Sequence, residues 1–338
     1  MQFSEIAVLY LTRNFYVYAF VPLIGSVVNN ICLAFITQKR YPHLTPKGNI
    51  DDQTKSDIKN KISGLFGTRL NSIVVHSADT MVISAFIGLT MTAKYGNYYY
   101  IMNAVCGFVS VFYSSMTAGI GNKIVTESIN ENYKLFKNLM FVNAWIVGWA
   151  SIAFLCLYEP FMKLWLGEEM QLGILFVVLL VLYFFVYEIQ RPILTFKDAV
   201  GLWNKDKLRP YVSMSINLVF NLIFVQFVGI YGILISTILA FLVSVPWVNT
   251  VLYKNLFTQK KARENIFSII KFFIITLITA LPTYVITSLL PDTYWALIVR
   301  IIICLVIPNA ILFLFYRKYK EFDFLKLKIK GIIKKKLL

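Results

Sequence analysis

Five polar residues fall at helical spacing inside one largely apolar stretch: Arg69, Ser72, His76, Asp79 and Thr80. At about 100° per residue they share an arc of roughly 100°, which is one face of a helix. An arginine on such a face can hold a phosphate or carboxylate through paired hydrogen bonds. Asp79 and His76 can take up a proton or a sodium ion, or hold the arginine in place. Ionisable groups are costly inside a membrane, so this face is expected to turn toward a cavity or the bundle interior. The competing reading has Arg69 snorkelling to the nearer surface while His76 and Asp79 form a buried structural pair. A second stripe, Ser213, Asn217 and Asn221, recurs at every fourth residue. Such residues often do no more than hydrogen-bond neighbouring helices.

The elements that must position these groups are membrane helices. Apolar stretches predict nine spans, at 15–37, 62–90, 97–119, 136–158, 171–188, 211–228, 230–252, 266–290 and 295–316. Each is long enough to cross a hydrocarbon core of roughly 30 Å while satisfying its own backbone. The fold class is therefore an all-α polytopic helical bundle. Charged residues make up 15% of the chain, against about 25% in ordinary soluble domains. The 33 Lys and Arg against 17 Asp and Glu lie between apolar spans rather than on one polar face, so they are topogenic and do not indicate a nucleic-acid partner. Cys32, Cys106, Cys156 and Cys304 stand singly without metal-ligand or disulfide spacing, and are read as packing residues.

Every second loop is strongly basic, which assigns those loops and the C-terminus to the cytoplasm. The turn at 291–293 carries no cation, and Lys163 stands alone in its loop. An odd number of spans then places residue 1 outside, although the opening segment has no basic leader. Either the first helix inserts in that sense, or helices that once preceded it are missing; we favour the second. The organisation expected is a last helix of a first lobe (1–37), an inter-lobe linker (38–61), a six-helix lobe (62–252), a loop (253–265), a terminal helix pair (266–316) and a basic tail (317–338). Tyr98, Tyr99, Tyr100, Trp165, Trp247 and Trp295 sit near span ends, as interfacial belts do. The tail is amphipathic enough to lie on the anionic inner leaflet, or serves only to fix topology. Pro22, Pro246, Pro282 and Pro308 suggest interrupted helices of the transporter kind.

No metalloprotease, P-loop or nucleophile-elbow motif occurs, so no catalytic residue, metal or cofactor is expected and the chain is not read as an enzyme. Without a P-loop, energy for transport must come from an ion gradient, the membrane potential or the substrate's own gradient.

The segments NSIVVHSADTMVISAFIGL (71–89), FMKLWLGEE (161–169) and QRPILTFKDAVGLWNKDKLRP (190–210) resemble the bacterial polysaccharide biosynthesis proteins. These are the Wzx-type oligosaccharide-lipid flippases of the multidrug and polysaccharide exporter superfamily. The resemblance runs in order along nearly the whole chain. It implies about fourteen helices in two six-helix lobes and a terminal pair, of which five N-terminal helices are absent here. It further implies translocation of undecaprenyl-diphosphate-linked repeat units across the bacterial inner membrane for O-antigen or capsule assembly. On that plan Arg69, helped by Asn71 or Ser72, meets the diphosphate in the cavity. His76, Asp79, Asn217 and Asn221 line the same space, with Asp79 and His76 the ion-coupling groups. Arg191 and Lys197 capture the diphosphate near the cytoplasmic surface, unless their charge is only topogenic; Glu188 and Asp198 can pair with them. Partners are the lipid-linked oligosaccharide, the bilayer, and the polymerase and glycosyltransferases of the pathway. Three alternatives stand beside this reading: a drug or cation exporter coupled through Asp79, a lipid II flippase, and a non-transporting membrane subunit or remnant.

Overall fold

The computed structural model describes residues 2–43 and 48–326, with the side chains of residues 2–5, 15 and 76 excepted. The His76 side chain, Lys47 and the tail beyond residue 326 thus lie outside the described residues. The described chain is all α, with eleven helices, one 3₁₀ turn and no strand. In order these are α1 (Gln2–Thr12), α2 (Phe15–Arg40), α3 (Asp52–Phe86), α4 (Leu89–Thr126), α5 (Ile129–Leu166), α6 (Ile174–Ile189), α7 (Arg191–Val200), α8 (Leu208–Val228), α9 (Ile230–Asn255), α10 (Ala262–Ser288) and α11 (Tyr294–Tyr316).

Among the described residues, eight spans are long and apolar enough to cross a membrane: α2, α4, α5, α6 continued by α7, α8, α9, α10 and α11. The protein is a multi-pass membrane protein. The ninth expected segment, 62–90, is helical as part of α3 but is not among the eight. Its polar face, Arg69 through Asp79, lowers the hydropathy of every window that includes it.

The chain divides into two compact units, Met1–Ser56 and Asp57–Leu338. In the first, α1 packs on α2. Arg13 in the left-handed region, φ 48°, turns the chain, and Asn14 caps α2 by accepting from the Tyr16 and Val17 amides at 2.9 and 3.4 Å. The short α1 is an element that the apolar pattern did not distinguish from its neighbour.

In the second unit α5 is central, packed against α6, α10 and α11, while α8 and α9 form a close hairpin. Gly229 at φ 58° makes the hairpin turn. Gly232 lets the two backbones meet, since a Cβ there would lie 2.6 Å from the Phe224 carbonyl carbon. Tyr98 and Tyr99 pack inward rather than standing at a helix end. Because α4 begins at Leu89, they fall inside it; Tyr98 is fully buried and donates to Glu159 at 2.8 Å. Pro22, Pro246, Pro282 and Pro308 lie within continuous helices and interrupt none of them. Cys156 of α5 and Cys304 of α11 are buried in one small apolar cluster with Ile152 and Ala280.

The 291–293 turn is not uncationic in space. Arg300 reaches back from α11 to donate to Asp292 at 2.9 Å and to the Thr287 and Leu290 carbonyls at 3.1 and 2.5 Å. Lys163 adds a contact to Asp292 at 3.3 Å and to Glu168 at 2.7 Å. Burial acts on the Asp292 carboxyl to push its pKa up, but the bonds from Arg300 and Lys163 outweigh it and hold the group below the usual carboxylate range.

Candidate functional site

The segment expected as a basic loop after the fifth span is mostly helix. α6 ends at Ile189, Pro192 occupies the first turn of α7, where its missing N–H costs nothing, and Gly201 at φ 74° ends it. The Leu202 and Gly201 amides return to the Lys197 and Asp198 carbonyls at 3.1 Å each, a Schellman closure. This short helix sets its charges inward. Arg191 forks onto the fully buried Glu188 at 3.0 and 2.5 Å, with its guanidinium 5.2 Å from the Tyr187 ring centre. Lys197, only 1% exposed, meets Asp198 at 2.9 Å and Asp206 at 3.5 Å. Arg209 clamps Asp206 at 2.7 to 3.0 Å and donates to Ser244 at 2.8 Å, while the Trp203 indole donates to Asp198 at 2.8 Å.

A cavity of about 360 Å³ opens between α3, α4 and α7. It brings together four of the residues singled out in the sequence: Arg69, Ser72, Arg191 and Lys197. Ser114, Thr117 and Thr195 on its wall give their protons to carbonyls of their own helices at 3.0, 3.2 and 2.9 Å. The donors that remain on the wall are the Ser72 and Ser110 hydroxyls and the cations. Arg191 and Lys197 are neutralised by their partners, whereas Arg69 enters no ion pair among the described residues and leaves the cavity net positive. α3 reaches this position because Gly64 and Gly67 have no side chains. A Cβ would lie 2.6 Å from the Trp203 carbonyl oxygen at Gly64, and 2.8 Å from the Tyr211 ring at Gly67.

Asp79 does not line that cavity. It lies ten residues further along α3, about 15 Å along the axis, and is 2% exposed. Its Oδ1 accepts from Asn221 at 2.8 Å; its Oδ2 accepts from Tyr95 at 3.2 Å and lies 3.4 Å from the Thr237 hydroxyl. Asn217 donates to Thr237 Oγ1 at 2.9 Å, and Ser236 donates to Asn221 Oδ1. The single Thr237 proton is shared between Asp79 and the Ile233 carbonyl at 3.0 Å. Four helices, α3, α4, α8 and α9, thus surround one carboxyl group with amides and hydroxyls, and no described cation touches it. The groups aimed at the carboxyl are all neutral hydrogen-bond donors, and Asp79 is the one carboxylate of the cluster.

A row of tyrosines in contact runs between the two sites. Tyr95 stacks on Tyr99 at 5.5 Å, the Tyr99 and Tyr183 hydroxyls are 3.5 Å apart, and Tyr183 lies 5.9 Å from Tyr187, the ring beneath Arg191. Asn71 is half-buried with its side-chain oxygen unpartnered among the described residues, and Thr80 is exposed. Sequence reasoning missed Tyr95, Ser236 and Thr237, single hydroxyls in apolar helices that no pattern distinguishes. It read Arg209 only as topogenic charge. No protein-family model matches this chain, and neither a curated protein nor a solved structure matches it.

Proposed function

We propose that this protein is a flippase for polyprenyl-diphosphate-linked oligosaccharides in the bacterial cytoplasmic membrane, with its C-terminus in the cytoplasm. The observation that carries the reading is the meeting of Arg69 with Arg191 and Lys197 at one polar cavity within a multi-pass bundle. A diphosphate offers many oxygen acceptors and needs fixed cations to leave water, while its polyprenyl tail can stay in lipid. Arg69, with Asn71 and Ser72 near it, is the contact for the head group. Arg191 and Lys197 keep their acidic partners and shape the wall. Asp79, with Asn217 and Asn221, supplies the coupling group that takes a proton or cation.

The test is a cell whose surface polymer depends on this chain. Arg69→Ala is expected to abolish polymer display with normal membrane insertion, and lipid-linked precursor accumulates on the inner leaflet. Normal display in that variant would sink the proposal. The buried Asp79 favours a second reading, export of an organic cation. That reading predicts that Asp79→Asn blocks export while Arg69→Ala leaves it unchanged.

A further inference from the structure

The C-terminal half of α9 changes chemistry along one face. Leu242, Pro246, Thr250 and Lys254 follow one another at four-residue steps, so they line up along the helix. Leu242 and the adjacent Val243 are exposed apolar side chains, Trp247 is half-buried, and Lys254 and Asn255 are exposed at the helix end. From Leu242 to Lys254 the stripe is about 18 Å long, comparable to one leaflet of a hydrocarbon core roughly 30 Å thick.

At its polar end lies a groove of about 510 Å³, where Lys205 from the turn before α8 joins Pro246, Trp247, Thr250, Lys254 and Asn255. Its two ammonium groups are uncompensated. Neither enters an ion pair among the described residues, whereas Lys123, Lys137 and Lys326 each pair with a nearby carboxylate. The acid beside Lys205 in sequence, Asp206, is buried and already held by Arg209 and Lys197. Trp247 adds an indole N–H without a hydrogen-bond partner among the described residues, on a ring type that favours the membrane interface. The stripe therefore runs from bare hydrocarbon through an indole to two cations, on the side that the loop charges assign to the cytoplasm.

We propose that this face of α9 is a binding site for one anionic phospholipid of the inner leaflet. The phosphodiester sits between Lys205 and Lys254, the glycerol region lies against Trp247 and Thr250, and an acyl chain follows Leu242 and Val243. The site is separate from the cavity between α3, α4 and α7 and does not depend on what that cavity transports.

The test uses the full chain purified in detergent, with phosphatidylglycerol, phosphatidylcholine of the same chains, and inorganic phosphate as probes. Phosphatidylglycerol is expected to bind tightly enough to survive native mass spectrometry, and Lys205→Ser with Lys254→Ser to weaken it by roughly tenfold or more. The equal charge change at Lys318→Ser with Lys320→Ser leaves binding unchanged, as does Lys205→Arg with Lys254→Arg. Should the serine variant fail to fold, the part of the tryptophan quenching by bromine-labelled phosphatidylglycerol that disappears in Trp247→Phe, beside that of the other five tryptophans, reads the same site in an otherwise intact chain. Equal weakening by the Lys318 and Lys320 changes, equal binding of phosphatidylcholine, competition by inorganic phosphate alone, or equal quenching of wild type and Trp247→Phe would each overturn the proposal.

Discussion

Asn221 on α8 donates a hydrogen bond to Asp79 on α3 at 2.8 Å, joining two helices across 142 residues of chain. Asp79 of the first polar stripe and Asn217 and Asn221 of the second therefore belong to one buried cluster, completed by Tyr95 and Thr237. Replacing Asp79 separates its structural role from its coupling role. Asp79→Leu leaves the Asn221 and Tyr95 donors buried without an acceptor, at about 1–3 kcal/mol each. Asp79→Asn keeps an oxygen for Asn221 and is expected to unfold near the wild-type temperature in detergent. Both variants are expected to lose ion-dependent transport; transport by Asp79→Asn with unchanged ion dependence would remove Asp79 from the coupling role.

The contact between α3 and the turn after α7 rests on Gly64 and Gly67. Gly64→Val places a branched side chain against the Trp203 backbone, which cannot move without disturbing the Asp198 and Lys197 network. A loss of roughly 1–3 kcal/mol in stability is expected, as for other overpacked contacts. Gly107→Val, where a Cβ meets nothing within 4 Å, is the comparison variant. Equal melting temperatures for the two would show that α3 does not approach this turn.

The cluster at the α10–α11 turn gives a dependence on pH. Asp292 has a depressed pKa in the folded protein, so its stabilising effect is full at neutral pH. The effect fades as pH falls below the ordinary carboxylate value of about 4 and through the lower folded value. The group is partly exposed, which limits the effect to at most about 1 kcal/mol. Thermal unfolding of wild type and Asp292→Asn should differ at pH 7 and converge toward pH 3. A constant difference across that range would assign the stability to something other than this carboxylate.

Orientation is a separate prediction from the charge pattern. A cysteine in place of Thr54, which is exposed in the first turns of α3, should resist an impermeant thiol reagent in intact cells and react after permeabilisation. Labelling in intact cells would reverse the assignment of every loop.

The spans were legible because a run of about 20 apolar residues has few other uses. α3 shows the limit of that signal: it is helical, yet Arg69 and Asp79 lower its hydropathy. α7 was hidden for a related reason. The pairing of Arg191 and Lys197 with Glu188 and Asp198 was legible from their proximity in sequence, but the folding back of Asp206 and the inward burial of these charges were not. Cation count could not distinguish Arg191, which is neutralised by Glu188, from Arg69, which is not. Thr237 was invisible because a lone threonine in an apolar helix usually bonds its own backbone.

That distinction decides which residue tests the account. Removing Arg191 strands the buried Glu188 and costs about 3–5 kcal/mol whatever the function, whereas Arg69 lies open to the cavity with no described ion pair. The most direct measurement is the affinity of the purified chain for undecaprenyl diphosphate, compared among wild type, Arg69→Ala and Arg263→Ala. A loss of roughly tenfold or more, about 1.5–3 kcal/mol for a charged hydrogen bond, is expected in Arg69→Ala alone. Equal affinity in all three proteins would contradict it.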